Sequence, residues 1–168
     1  PASSEEAAGI ARLYVGKSLD AGKSAARAAE VMARHGEARL AMALRAVALE
    51  HAPTDAMLLC RQGIDALALG QREQALNAWR AAMAALLIAP KAGRLTSGPE
   101  LVVAKRWKMR DPAGRCVIEG LRRAQETGLL TSWLERWLDA RQERAALWWQ
   151  LVDVYVYAGD LDAAVATM

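Results

Sequence analysis

The residue types that could do chemistry in this chain are few and scattered. The strings "VGKS" at 15–18 and "AGKS" at 21–24 end like a phosphate-binding loop. That loop needs another Gly five positions upstream of its Gly-Lys-Ser, and a strand before it. The required positions hold Ala11 and Lys17, and nothing strand-like precedes them, so each string reads as a turn opening a helix. The two histidines, His35 and His51, fall at expected helix ends, where an imidazole suits the negative end of the helix dipole. A nucleophile would need a base oriented by a third group, and neither histidine is spaced for that. Cys60 and Cys116 show no CxxC or Cys-His spacing, so they imply neither a metal site nor a disulfide framework. Each reads as a small buried or half-buried thiol. No catalytic residue, cofactor or metal ligand is expected, and the chain reads as a non-enzyme.

The sharpest chemical feature is basic. Lys91, Arg94, Lys105, Arg106, Lys108 and Arg110 face only Glu100 across the stretch 91–110, with Trp107 among them in "KRWKMR". Cations interleaved with an aromatic can hold a phosphate backbone or another anionic polymer. They can equally form a solvated helix face around a buried Trp. The net charge of +3 over 168 residues is too small to choose a partner.

The elements that must position these residues are helices. Hydrophobic residues make up 54% of the chain, yet Phe is absent and Ala supplies much of the rest. Ala is the strongest helix former and a small packer, which implies closely approaching helices rather than a roomy cavity. Period-two runs of β-branched residues are nearly missing, so the fold class is all-α. No segment reaches the roughly 20 apolar residues that span a bilayer. The longest apolar run, "AAMAALLIA" at 81–89, stops at Pro90. The start, "PASSEEAAGIARL", lacks the basic and apolar regions of a signal peptide. A start at Pro1 and an end in mid-pattern suggest a piece of a longer protein, which leaves a periplasmic or a cytoplasmic location open.

The helices recur. Gly36, Ala41 and Ala48 are followed 34 residues later by Gly70, Ala75 and Ala82, and Gly159 with Ala164 repeats the five-residue step. A helix–turn–helix period of 34 resembles the tetratricopeptide repeat family. In the last copy Trp148, Leu151, Tyr155, Gly159 and Ala164 sit where that motif places them. The middle copy keeps Gly63, Gly70, Ala75, Trp79 and Ala82, with Leu59 and Ala66 replacing the aromatics. The first keeps Ala29, Gly36, Ala41, Ala48 and Pro53. The resemblance implies a right-handed superhelix of antiparallel helix pairs with an irregular inserted helix. Its expected organisation is an N-terminal capping helix in 1–21, repeats at 22–55 and 56–89, the basic insertion with a short helix at 90–110, a divergent repeat at 111–144 and a truncated repeat at 145–168.

In the divergent repeat, Asp111-Pro112 reads as a helix start, Gly128 as a stop, and Ser132 with Glu135 as a capping box opening the next helix. A similar box, Ser97 with Glu100, precedes a helix near 98–109. That helix could instead pair with 112–126 and leave 131–142 as a linker. Trp79 and Trp148 fall on core positions, and Trp133 with Trp137 share one face for packing.

The resemblance also implies a concave groove lined by the first helix of each pair. In this sequence those positions are Lys23, Ala26, Glu30, Ala33 and Arg34, then Met57, Cys60, Ile64, Leu67 and Ala68, and finally Ala146, Trp149, Asp153, Val156 and Tyr157. An aromatic–aliphatic groove suits an extended or helical peptide. Ala26, Glu30, Cys60 and Ile64 stand where clamps for acidic chaperone tails carry Lys and Asn, which disfavours that subtype. The implied function is non-catalytic protein–protein binding, as a scaffold or adaptor. A bacterial exopolysaccharide export scaffold and a cytoplasmic secretion chaperone are two settings for it. Anionic polymer or nucleic acid binding through 91–110 is the alternative.

Overall fold

The computed structural model describes residue 9 and residues 20–88, 111–140 and 144–167. Among the described residues there are eight helices and no strand, so the chain is all-α. They are α1 Ala21–Arg34, α2 Ala38–His51, α3 Ala56–Ala68, α4 Arg72–Ile88, α5 Pro112–Arg123, α6 Thr127–Ala140, α7 Arg144–Ala158 and α8 Leu161–Thr167. The chain forms two compact units, Pro1–Leu86 and Leu87–Met168. No helix of the described residues is long and apolar enough to cross a membrane. The helices expected near 4–15 and 98–109, and the Ser97–Glu100 box, lie outside the described residues.

The first helices of three pairs open on an aspartate cap. Asp20 accepts from the Lys23 N–H at 3.1 Å. Asp55 accepts from Met57 and Leu58 at 2.9 and 3.0 Å. Asp111 accepts from Ala113 and Gly114 at 2.9 and 3.2 Å, and Pro112 starts the helix where its missing N–H costs nothing. Each carboxylate satisfies N–H groups that the helix leaves without partners, worth about 1 kcal/mol for the caps at Asp55 and Asp111.

One turn recurs four times. Gly36, Gly70 and Gly159 have φ of 79°, 75° and 78°, and Gln125 has φ of 57°. After each, the next N–H bonds back to the carbonyl five residues earlier: Glu37 to Met32, Gln71 to Ala66, Glu126 to Leu121 and Asp160 to Tyr155, at 2.9–3.0 Å. This pattern satisfies the last carbonyls of the first helix and reverses the chain. Five residues past each left-handed residue come Ala41, Ala75, Leu130 and Ala164, all buried where the second helix crosses the first.

Gln125 therefore occupies the stop expected at Gly128, and Gln125 to Gly159 is again 34 residues. Gly128 lies in the first turn of α6, and Ser132 and Glu135 lie inside that helix rather than opening one. Ser132 donates to the Leu129 carbonyl at 3.2 Å. α5 packs on α6; the alternative pairing of α5 with 98–109 falls on residues outside the described ones. A side chain at Gly36, Gly70 or Gly159 would meet nothing within 4 Å, so the demand at these turns is conformational. Gln125→Gly is accordingly expected to raise the melting temperature, by up to about 1 kcal/mol of stability, because an L-residue in the left-handed region costs about 1–2 kcal/mol and the added chain entropy of Gly offsets part of the relief. A lower melting temperature would count against this account of the turn.

In the first unit, Ala25 and Ala29 of α1 pack against Leu44, Val47 and Ala48 of α2. Small residues on α1 let the two backbones approach. α2 packs in turn on α3, and α4 meets α3 through Trp79, which is fully buried and donates from Nε1 to the Cys60 carbonyl at 3.1 Å. In the second unit, α6 packs on α5 and α7, and α7 on α8. Its core includes Val117, Ile118 and Leu121 of α5, Leu130, Leu134 and the Trp133–Trp137 pair of α6, and Leu151 and Val154 of α7. The two indoles stack with centroids 4.4 Å apart.

Two expectations are corrected. Trp148 is 47% exposed: it precedes Leu151 and Val152, where the packed face of α7 begins. Cys60 is buried and Cys116 half-buried, but neither is a free thiol.

Candidate functional site

The residues expected to line a groove lie on one face of α1, one of α3 and one of α7. On α1, Lys23 and Arg34 are exposed and Ala26, Glu30 and Ala33 half-buried, with Ala26 packed against the core around Ala25 and Ala29. Lys23 is exposed and pairs with Asp20 at 2.7 Å. Its ammonium, then its backbone N–H, hold the Asp20 carboxyl below the usual carboxylate range. Arg34, also exposed, lies 3.6 Å from Glu30. On α3, Met57, Ile64 and Leu67 are half-buried, Ala68 is exposed and Cys60 is buried.

Glu30 is the hub of the first unit. It pairs with Arg61 of α3 and lies 3.9 Å from the Arg45 guanidinium of α2. Arg45 Nε donates to Asp65 Oδ2 at 2.6 Å, and both of these side chains are buried. Arg61 Nε also reaches the Met57 sulfur at 3.5 Å. Burial pushes the Asp65 carboxyl above the usual range, and the Arg45 hydrogen bond pulls it back only in part. Arg45, Arg61 and Asp65 were not among the expected site residues. Twenty residues on separate helices divide Arg45 from Asp65, so no spacing rule within one helix could pair them.

In the second unit the α7 face is exposed. Trp149, Val156 and Tyr157 are 44%, 54% and 67% exposed. With Asp153 they fall at successive i, i+4, i+7 and i+8 steps, which share one helix face. Asp153 is exposed and has one ion-pair partner among the described residues, Arg122 of α5 at 3.8 Å. Ala146 lies on α7 as well. Beside this face, Tyr155 donates to Glu135 Oε1 at 2.7 Å. That hydrogen bond, more than burial, pushes the Tyr155 hydroxyl up to about 12.

The Tyr155 phenol should therefore ionise about two units above its ordinary value near 10. The stability it contributes is fully present below about pH 10 and is lost as pH rises through about 12. Ultraviolet titration of the wild type minus Tyr155→Phe checks this, and Glu135→Gln should lower the midpoint. A difference midpoint near 10 would remove the hydrogen bond from the account.

Lys91, Arg94, Lys105, Arg106, Lys108 and Arg110 all lie outside the described residues. Among the described residues no cluster of His, Cys, Asp and Glu could hold a metal ion. No protein-family model matches this chain, and no curated protein matches it.

Proposed function

We propose that this chain is a non-catalytic protein-binding segment of a tetratricopeptide-type solenoid, a right-handed superhelix of helix pairs that takes a peptide on the face lined by its first helices. One observation carries the reading: two large aromatics and a valine, Trp149, Tyr157 and Val156, stand exposed on a single face of α7. Exposed apolar groups gathered on one face mark interaction surfaces, whereas scattered ones do not. The four equivalent turns support a repeat architecture, since a lone helical hairpin cannot bury its apolar face and gains by stacking. Scaffolds of exopolysaccharide export and chaperones of secretion would both use such a face, and the sequence of the captured peptide decides between them.

The test is a displayed peptide library selected on the chain, followed by affinity measurement with the enriched peptides. Trp149→Ala/Tyr157→Ala should weaken binding about 30-fold or more, as expected for central aromatic anchors. Val31→Ala, an equally exposed apolar residue on α1, should leave it unchanged. Undiminished binding to the double variant would sink the reading.

A further inference from the structure

We infer that the exposed face of α7 selects a cationic partner: a peptide whose Arg or Lys side chain seats on the Asp153 carboxylate, flanked by Trp149 and Tyr157, with its apolar residues on Val156. This rests on the groove reading above and adds the chemistry of the partner. The first argument is an internal precedent. Glu30 lies six residues before Gly36, and Asp153 six residues before Gly159, so the two acids hold the same place in their helical pairs. Each faces an Arg of another first helix: Glu30 faces Arg61, 31 residues later, and Asp153 faces Arg122, 31 residues earlier.

The two acids differ in how fully they are used. Glu30 is surrounded by Arg34, Arg45 and Arg61 and is 28% exposed. Asp153 has Arg122 alone among the described residues, at 3.8 Å, and is 64% exposed. A position that gathers guanidinium groups in the first unit thus keeps spare acceptor capacity in the second.

The second argument is the flanking chemistry. Trp149, Asp153 and Tyr157 follow at steps of four, so one ring lies about 6 Å along the helix axis on either side of the carboxylate. Ring faces attract cations electrostatically, and Trp does so best. Along the chain the charges that follow Arg144 are acidic: residues 145 to 167 hold Asp153, Asp160 and Asp162 and neither Lys nor Arg, and the cation against Asp153 is Arg122 of α5. The whole chain, at +3, would repel a cationic peptide, so a preference for one must arise locally.

The experiment compares two synthetic amphipathic peptides that share a Leu stripe and differ only in flanking residues, Arg in one and Glu in its twin. Titration followed by tryptophan fluorescence at low salt gives the affinities. The Arg peptide should bind about five-fold or more tighter, combining one exposed ion pair with cation–π contact. Asp153→Asn should abolish that preference. Arg122→Gln, which removes the competing guanidinium, should raise affinity for the Arg peptide about two-fold. Circular dichroism confirms that each variant folds. Equal or tighter binding of the Glu twin, no binding of either peptide, or a preference that survives Asp153→Asn overturns the inference. If both peptides bind equally and Trp149→Ala/Tyr157→Ala abolishes both, the cation inference fails and the groove reading stands. If that double variant changes neither affinity, the groove reading fails as well.

Discussion

Arg45→Met is expected to cost about 3–5 kcal/mol of unfolding free energy, because it leaves Asp65 buried without its counter-charge. Asp65 is 4% exposed and its closest cation is the Arg45 guanidinium, 2.6 Å away. Removing both charges should cost far less. Arg45→Met/Asp65→Leu replaces a desolvated ion pair by apolar packing, a change that is often neutral or stabilising. Urea unfolding of the two single variants and the double closes the cycle, and strictly additive losses would show that the pair is not coupled. The penalty also depends on pH. Burial holds the Asp65 carboxyl above its ordinary range, so its contribution to stability is fully present below about 3.9, the unfolded value. It falls away as pH rises through the higher folded value. Without Arg45 the folded value climbs further, so the loss on Arg45→Met should be larger at pH 7 than at pH 4.

The same pair shows where the sequence is legible and where it is not. Gly36, Gly70 and Gly159 are readable because glycine is the usual residue of a left-handed helix stop, and all three have positive φ. Gln125 takes that conformation too without the residue type that announces it. Leu130 replaces Ala five positions later, so the third pair loses both its marks at once and the apparent stop slips to Gly128. Trp79 is readable as core because Ala75 and Ala82 share its face. Trp148 and Trp149 are adjacent, and helical periodicity turns only one of two neighbours inward; the structure exposes both. Arg45 looks like a solvated charge among alanines, and only the tertiary position of Asp65 makes it a core residue. The set Trp149, Asp153, Val156 and Tyr157 comes from the groove positions that the repeat resemblance implies; that Asp153 is less neutralised than Glu30 required the structure.

Gly63→Ala is expected to destabilise the first unit by about 3 kcal/mol, although Ala is ordinarily the better helix former by about 1 kcal/mol. A Cβ on residue 63 would collide with Trp79 Nε1 and come within 2.7 Å of Cε2, and the indole, fully buried, has no free side toward which to retreat. Overpacking of this kind costs about 1–3 kcal/mol. Displacing the ring also breaks the bond from Nε1 to the Cys60 carbonyl, and a buried N–H left without a partner costs a further 1–3 kcal/mol. Trp79→Ala removes the clash but empties a large site and should cost about 3–5 kcal/mol. Trp79→Phe separates the two contributions, since the smaller ring gives up the hydrogen bond and makes room for the methyl group. In the Gly63→Ala background, Trp79→Phe should therefore cost less than it does alone, with a coupling of about 1 kcal/mol or more. Additivity within about 0.5 kcal/mol would mean that the missing side chain at Gly63 does not set the approach of α3 to α4. A coupled result would mean that glycine and tryptophan here form one packing unit, in which the absence of an atom on one helix fixes where the indole of the next can lie.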